Sequence, residues 1–154
     1  MLAGFRKLDN LCVIVDNNGL QIDGPVDKVC SPYPIDKKFE AFNFHVIHVN
    51  AHDFSELRRA FREARETKGM PACILLHSTK GKGVSFMENN VDWHGKAPDD
   101  AEYAAAMADL EKIDRQLQEK PLMAAAEKTD GQPEGLEPAN TERAGMESGK
   151  EGEK

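Results

Sequence analysis

Apolar side chains gather in three short blocks: Leu11-Cys-Val-Ile-Val15, His45-Val-Ile-His-Val49 and Ala72-Cys-Ile-Leu-Leu76. The first is a continuous run bounded by turn residues, which predicts a strand covered on both faces, as in a parallel sheet. Between the blocks the spacing turns helical. Ile35, Phe39 and Phe42 recur at helical intervals after Pro34, a residue favoured at the first helical position, and Asn43 suits a left-handed cap. Asp53-Phe-Ser-Glu56 has the form of a capping box, and Phe54, Leu57, Phe61 and Ala64 make one apolar stripe behind it. Gly69 and Pro71 end that helix. Residues 3–10 read as the end of a helix and a turn, and Asp23-Gly24-Pro25 as a further turn. The predicted order is strand, helix, strand, helix, strand: a βαβαβ unit with a parallel sheet and right-handed crossover helices. Residues 86–98 read as irregular. Asp99 or Asp100 is placed to cap a long helix from Ala101 to about Glu119.

The pattern stops after Pro121. Residues 127–154 hold 8 acids against 4 bases and almost no large apolar side chain, so they carry −4 of the net −7. Such a segment buries too little apolar surface to offset its ordering entropy, which predicts disorder. The expected organisation is one domain over residues 1–120 and an acidic tail over 121–154. The acidic balance argues against nucleic acid as a partner. No apolar stretch reaches the length of a membrane span, and the first residues lack the form of a secretory signal. Cys12, Cys30 and Cys73 show no CxxC spacing. Cys12 and Cys73 fall inside apolar runs and read as small buried hydrophobes of a reducing, cytoplasmic protein.

The first block ends abruptly at Asp16-Asn-Asn-Gly-Leu20. Ligands of open α/β sheets bind at the carboxyl ends of strands, and oxygen donors on a tight turn there suit a hard cation such as magnesium. Asn18 is a candidate through its side-chain oxygen. The carbonyl of Leu20 is a second, since Gly19 lets the chain fold back. Taken alone, the motif also fits a plain turn. Lys80, in Lys80-Gly-Lys-Gly83, is a candidate for phosphate, with glycines that let backbone amides approach the oxygens. His94, in Trp93-His-Gly-Lys-Ala-Pro98, is a candidate hydrogen-bond donor or proton shuttle. The other histidines, His45, His48, His52 and His77, read as structural.

Together these segments resemble the diphosphate-binding domain of transketolases, above all the N-terminal subunit of the split bacterial form. Leu8 to Gly24, Phe39-Glu-Ala-Phe42, His52-Asp-Phe54, Lys80 to Val84 and Trp93 to Pro98 follow in the family's order over roughly residues 1–118. The resemblance implies a partial thiamine-diphosphate-binding fold. It implies thiamine diphosphate and magnesium (or calcium) as cofactors, and transfer of a two-carbon ketol unit between sugar phosphates. By similarity Asn18 and Leu20 are metal ligands, Lys80 lies near the cofactor, and His94 is a catalytic residue between the diphosphate and the reacting carbon. The family motif opens with Gly-Asp-Gly upstream of such an asparagine; by the family's spacing it would fall before Met1, and it is absent from these residues. The family's upstream substrate histidines, and the glutamate of another domain that activates the aminopyrimidine, likewise have no counterpart among these residues. The expectation is a chain that supplies the second half of one cofactor domain and exposes a sheet edge. It would work with a transketolase C-terminal section or a second subunit, as a homo- or hetero-oligomer, and transfer little or no ketol alone. Two other readings stand beside it. One is a relative of deoxyxylulose-phosphate synthase or dihydroxyacetone synthase. The other is a non-catalytic interaction module.

Overall fold

The structure, a computed structural model, describes residues 1–119. The expected acidic tail, 121–154, lies outside the described residues. The elements run α1 (Leu2–Phe5), β1 (Cys12–Asn17), β2 (Leu20–Gln21), β3 (Gly24–Pro25), α2 (Val26–Val29), α3 (Ile35–Ala41), β4 (His45–Asn50), α4 (Phe54–Glu66), β5 (Ala72–His77), a 3-10 turn (Val91–His94) and α5 (Asp100–Glu119). Three strands form a parallel sheet in the order β1-β5-β4. The last strand in sequence is therefore central. Ile74 in its middle pairs with both Ile14 and Ile47 and is fully buried.

Helix α4 lies over β4 and β5, and the core forms between them from Ile47, Val49, Ala60, Ala64, Ala72 and Ile74. Two expectations change here. Burial along β1 alternates, leaving Cys12 exposed and Ile14 51% exposed. A parallel run is apolar on both faces when both are covered. Here β1 is a sheet edge, and α4 sits over its neighbours instead. On α4 the buried positions are Ala60 and Ala64 with Leu57 packed against the core, whereas Phe54 is 78% exposed and Phe61 46%. Close approach of helix to sheet selects the small residues and pushes the aromatics outward.

The caps hold in part. Asn43 has φ of 62°, the left-handed conformation its position calls for. Asp53 accepts from the N–H groups of Ser55 and Glu56 at 2.7 and 3.1 Å. Glu56 does not return to Asp53, whose N–H already donates to the Asn50 carbonyl, and takes the Asn50 N–H at 2.8 Å. The reciprocal box forms at α5 instead. There the Glu102 N–H donates to Asp99 Oδ1 at 2.8 Å and the Asp99 N–H to Glu102 Oε2 at 2.9 Å.

Candidate functional site

The carboxyl ends of β1 and β5 give way to the segments that the sequence singles out. After β1 the chain turns at Gly19, whose φ of 74° requires a left-handed backbone, and enters the short hairpin β2–β3. Asn18 Oδ1 accepts the Leu20 N–H at 2.9 Å, a local turn that fixes the carboxamide and leaves its oxygen a second lone pair. Leu20 lies opposite Pro25, which has no N–H, while Val26 N–H donates to the Gly19 carbonyl at 3.0 Å. That alternation makes Leu20–Pro25 the non-hydrogen-bonded pair, so the Leu20 carbonyl faces away from its hairpin partner. Two neutral oxygens two residues apart are thus left with capacity to accept.

A hollow of about 330 Å³ opens beside them, lined by Asn18, Leu20, Gln21, Asp23, Lys80 and His94, with Ile22 and Val91 as its apolar part. Its size is at the lower end of small-molecule sites, which run from ~300 to ~1,000 Å³. Asn18, Leu20 and Lys80 are half-buried, and His94 is exposed at the end of its 3-10 turn. The Trp93 ring anchors that turn: its Nε1–H donates to the Phe86 carbonyl at 3.1 Å, and Lys96 Nζ lies 4.3 Å from the ring centroid. A second hollow of about 590 Å³ shares Asn18 and Lys80 and adds Asp16, His52, Ser78, Thr79 and Lys82. Other hollows lie elsewhere on the described surface, including one at the amino end of β1, whereas these two sit where the sheet's topology gathers ligands.

The loop after β5 departs from the expectation for its glycines. The Gly83 N–H donates to Glu88 Oε1 at 3.0 Å, so this amide is not offered to a phosphate. Gly81 has φ of 71°, and a Cβ there would stand 2.5 Å from the Met87 carbonyl oxygen. Close packing of the loop on itself requires that glycine. The two lysines also differ. Lys82 Nζ is 3.2 Å from Glu88 Oε1, whereas Lys80 is in no ion pair among the described residues.

His52, structural by its sequence pattern, makes a local contact: its Nε2 accepts the Thr79 N–H at 2.8 Å. It nevertheless lines the larger hollow. So does Ser78, whose hydroxyl donates to Asp16 Oδ1. Asp23 in the smaller hollow carries no sequence signal of its own. It stands in a turn pattern common to many proteins, and only the hairpin's fold-back brings it to Lys80. His45 pairs with Glu63 at 2.7 Å, and His48 Nδ1 lies 3.0 Å from His77 Nε2, all outside both hollows.

The donor set suits a diphosphate together with a hard cation. Among the described residues no group of three or more His, Cys, Asp or Glu is placed to hold a metal ion. A cation here would have two neutral protein oxygens and would need ligand oxygens to complete its shell. Magnesium is usually bound in that way, with few protein ligands and substrate phosphates. Lys80 would supply positive charge for such an anion. The residues present fit the pair, metal with diphosphate, better than either alone.

The architecture is α/β, an open parallel sheet with oxygen donors and a lysine that is unpaired among the described residues at its carboxyl ends. Residues 1–118 match the family described as transketolase, thiamine diphosphate binding domain, and the chain belongs to that family. It is similar to the 6-deoxy-6-sulfo-D-fructose transketolase subunit SqwG of Clostridium sp. (strain MSTE9), 38% identical over 112 residues, covering 73% of this chain and 41% of that protein. It is also similar to an apulose-4-phosphate transketolase subunit from Phocaeicola vulgatus, 35% identical over 116 residues, covering 75% and 41%. Among solved structures, transketolase from Campylobacter jejuni superposes with a TM-score of 0.67 at 30% identity, over 71% of this chain and 17% of that one. The chain thus spans about 41% of the length of these two subunit relatives. No described helix is long and apolar enough to cross a membrane.

Proposed function

We propose that this chain supplies one wall of a thiamine-diphosphate site in a transketolase that moves a two-carbon ketol unit between sugar phosphates. In this reading Asn18 Oδ1 and the Leu20 carbonyl hold magnesium (calcium being the alternative cation). Lys80 neutralises diphosphate charge, and His94 donates to a phosphate oxygen beside the reacting carbon. Bound thiamine diphosphate supplies the carbanion chemistry for breaking and forming carbon–carbon bonds next to a carbonyl. The chain's own residues bind, orient and screen charge.

The observation that carries the reading is the shared hollow: Asn18, Leu20, Lys80 and His94, from three separate stretches of sequence, line one cavity. The charges give it a further consequence. The hollow is lined by one ammonium, Lys80, and one carboxylate, Asp23, so its formal charge is near zero and a divalent cation would add to the attraction for a diphosphate. Domain limits of 1–120 and 121–154, a cytoplasmic setting and a second polypeptide carrying the remaining transketolase sections belong to the same proposal. The subunit names of the split relatives support the last of these.

Calorimetry with thiamine diphosphate tests it. Binding is expected with magnesium and is expected to vanish when the metal is chelated. Asn18→Ala is expected to weaken it by about 10- to 100-fold, the equivalent of the ~1.5–3 kcal/mol typical of a contact to a charged group. Metal-independent binding, or an unchanged affinity in N18A, would contradict the reading.

A further inference from the structure

Lys80 and His94 both line the hollow from the two ends of the stretch that follows β5, and the closure of the loop between them centres on Glu88. Its Oε1 accepts the Gly83 N–H at 3.0 Å and lies 3.2 Å from Lys82 Nζ. The Asn89 N–H donates to the Lys80 carbonyl at 3.0 Å, so the chain returns to the residue it left. Gly81 lets Met87 close against it from the inside. Beyond this ring, Asn90 Nδ2 and Trp93 Nε1 both donate to the Phe86 carbonyl, at 3.4 and 3.1 Å, and carry the order on to His94.

A carboxylate in this place is unexpected on electrostatic grounds. The loop is read as receiving an anion, and Glu88 brings a negative charge into it and takes up one of its lysines and one of its amides. That arrangement makes sense if geometry matters more here than the count of positive charges. A loop with two free lysines and several open amides has many ways to meet a phosphate. A loop tied at Gly83 and Lys82 presents Lys80 alone, at a fixed distance from the turn that carries His94. Prepositioned groups contribute more to binding and turnover than the same groups left mobile.

We propose that Glu88 is a positioning residue: by clasping the Gly83 amide and the Lys82 ammonium it sets the loop that brings Lys80 and His94 to the diphosphate hollow. This rests on the cofactor reading above. The same contacts, the Gly83 amide first and Lys82 next, hold the Glu88 carboxyl below the usual glutamate range.

The test uses the full chain in three forms, wild type, Glu88→Gln and Glu88→Ala. Glutamine keeps an oxygen for the Gly83 N–H, and alanine removes it. The amide signal of Gly83 in nitrogen-labelled wild type is expected to titrate below the usual glutamate range and to lose that titration in E88Q. Calorimetry with magnesium and thiamine diphosphate is expected to give about tenfold weaker binding in E88A and near-normal binding in E88Q. Wild-type circular dichroism in both variants would show that the fold is kept. Affinity in E88A equal to or above wild type would overturn this inference alone, since it would mean that net charge outweighs placement. A Gly83 signal that ignores pH would overturn it too. Absence of any binding by the wild-type chain would instead overturn the cofactor reading, and this inference with it.

Discussion

Asn18 joins a local turn to the candidate site. Its carboxamide oxygen closes the turn on the Leu20 N–H, and the residue also lines the hollow. The residue type is readable from the sequence, and so is the pairing with Leu20. The reason that the Leu20 carbonyl is left over is not, because it depends on Pro25 lying opposite in a hairpin that the turn signal alone does not reveal. Cysteines make the opposite case. Both Cys12 and Cys73 sit in apolar runs, yet only Cys73 is buried. Burial is a property of what covers a strand, and β5 is central where β1 is an edge. Burial pushes the Cys73 thiol up to about 11, with Cys12 adding to the shift, and partial desolvation by its neighbours raises even the exposed Cys12 above its usual range. A thiol reagent at neutral pH is therefore expected to modify Cys30 first, Cys12 more slowly, and Cys73 only after unfolding. Rapid modification of all three in the native chain would contradict this packing.

The elements repeat the lesson with longer segments. Strands β1, β4 and β5 and helices α3, α4 and α5 are legible from periodicity and caps, because each has a core-facing pattern or a strong terminus signal. The hairpin β2–β3, helix α2 and the 3-10 turn are not. They are two to four residues long and owe their shape to neighbours rather than to their own pattern. The buried face of α4 differs from its apolar stripe for a related reason: Phe54 and Phe61 are the larger hydrophobes, but the tight contact with β4 and β5 buries Ala60 and Ala64, with Leu57 partly buried against the same core. At α5 the cap itself is testable. Lys96 first and the Asp99 N–H second hold the Glu102 carboxyl below the usual range. A carboxyl lowered in the folded state contributes stability above its unfolded pKa and loses that contribution as pH falls through its folded value. Protection factors of amides in the first turn of α5, referred to the intrinsic exchange rate at each pH, are thus expected to fall as pH drops below the ordinary glutamate range. Glu102→Gln should remove that pH step. A step of the same size in E102Q would show that another group controls this terminus.

At the scale of the molecule, the order β1-β5-β4 places the loops after β1 and β5 side by side, since the strands that carry them are adjacent. That adjacency turns three distant sequence motifs into one cavity, and no local pattern could have declared it. It also leaves β1 with an uncovered face at Cys12 and Ile14 and no second strand partner among the described residues, in a chain that spans about 41% of its subunit relatives. A site walled on one side by this domain calls for a second wall, and the proposal places it in a further polypeptide. Within this chain, the proposed site has Asn18 and Leu20 hold a divalent cation that tethers a diphosphate beside Lys80 and His94. Paramagnetic relaxation tests it most directly, with manganese replacing magnesium in the presence of thiamine diphosphate and the full chain isotopically labelled. The account predicts strong broadening of the Asn18 side-chain and Leu20 signals, weaker broadening at Lys80 and His94, and loss of both in Asn18→Ala. Broadening centred elsewhere, or a pattern that survives in N18A, would contradict it.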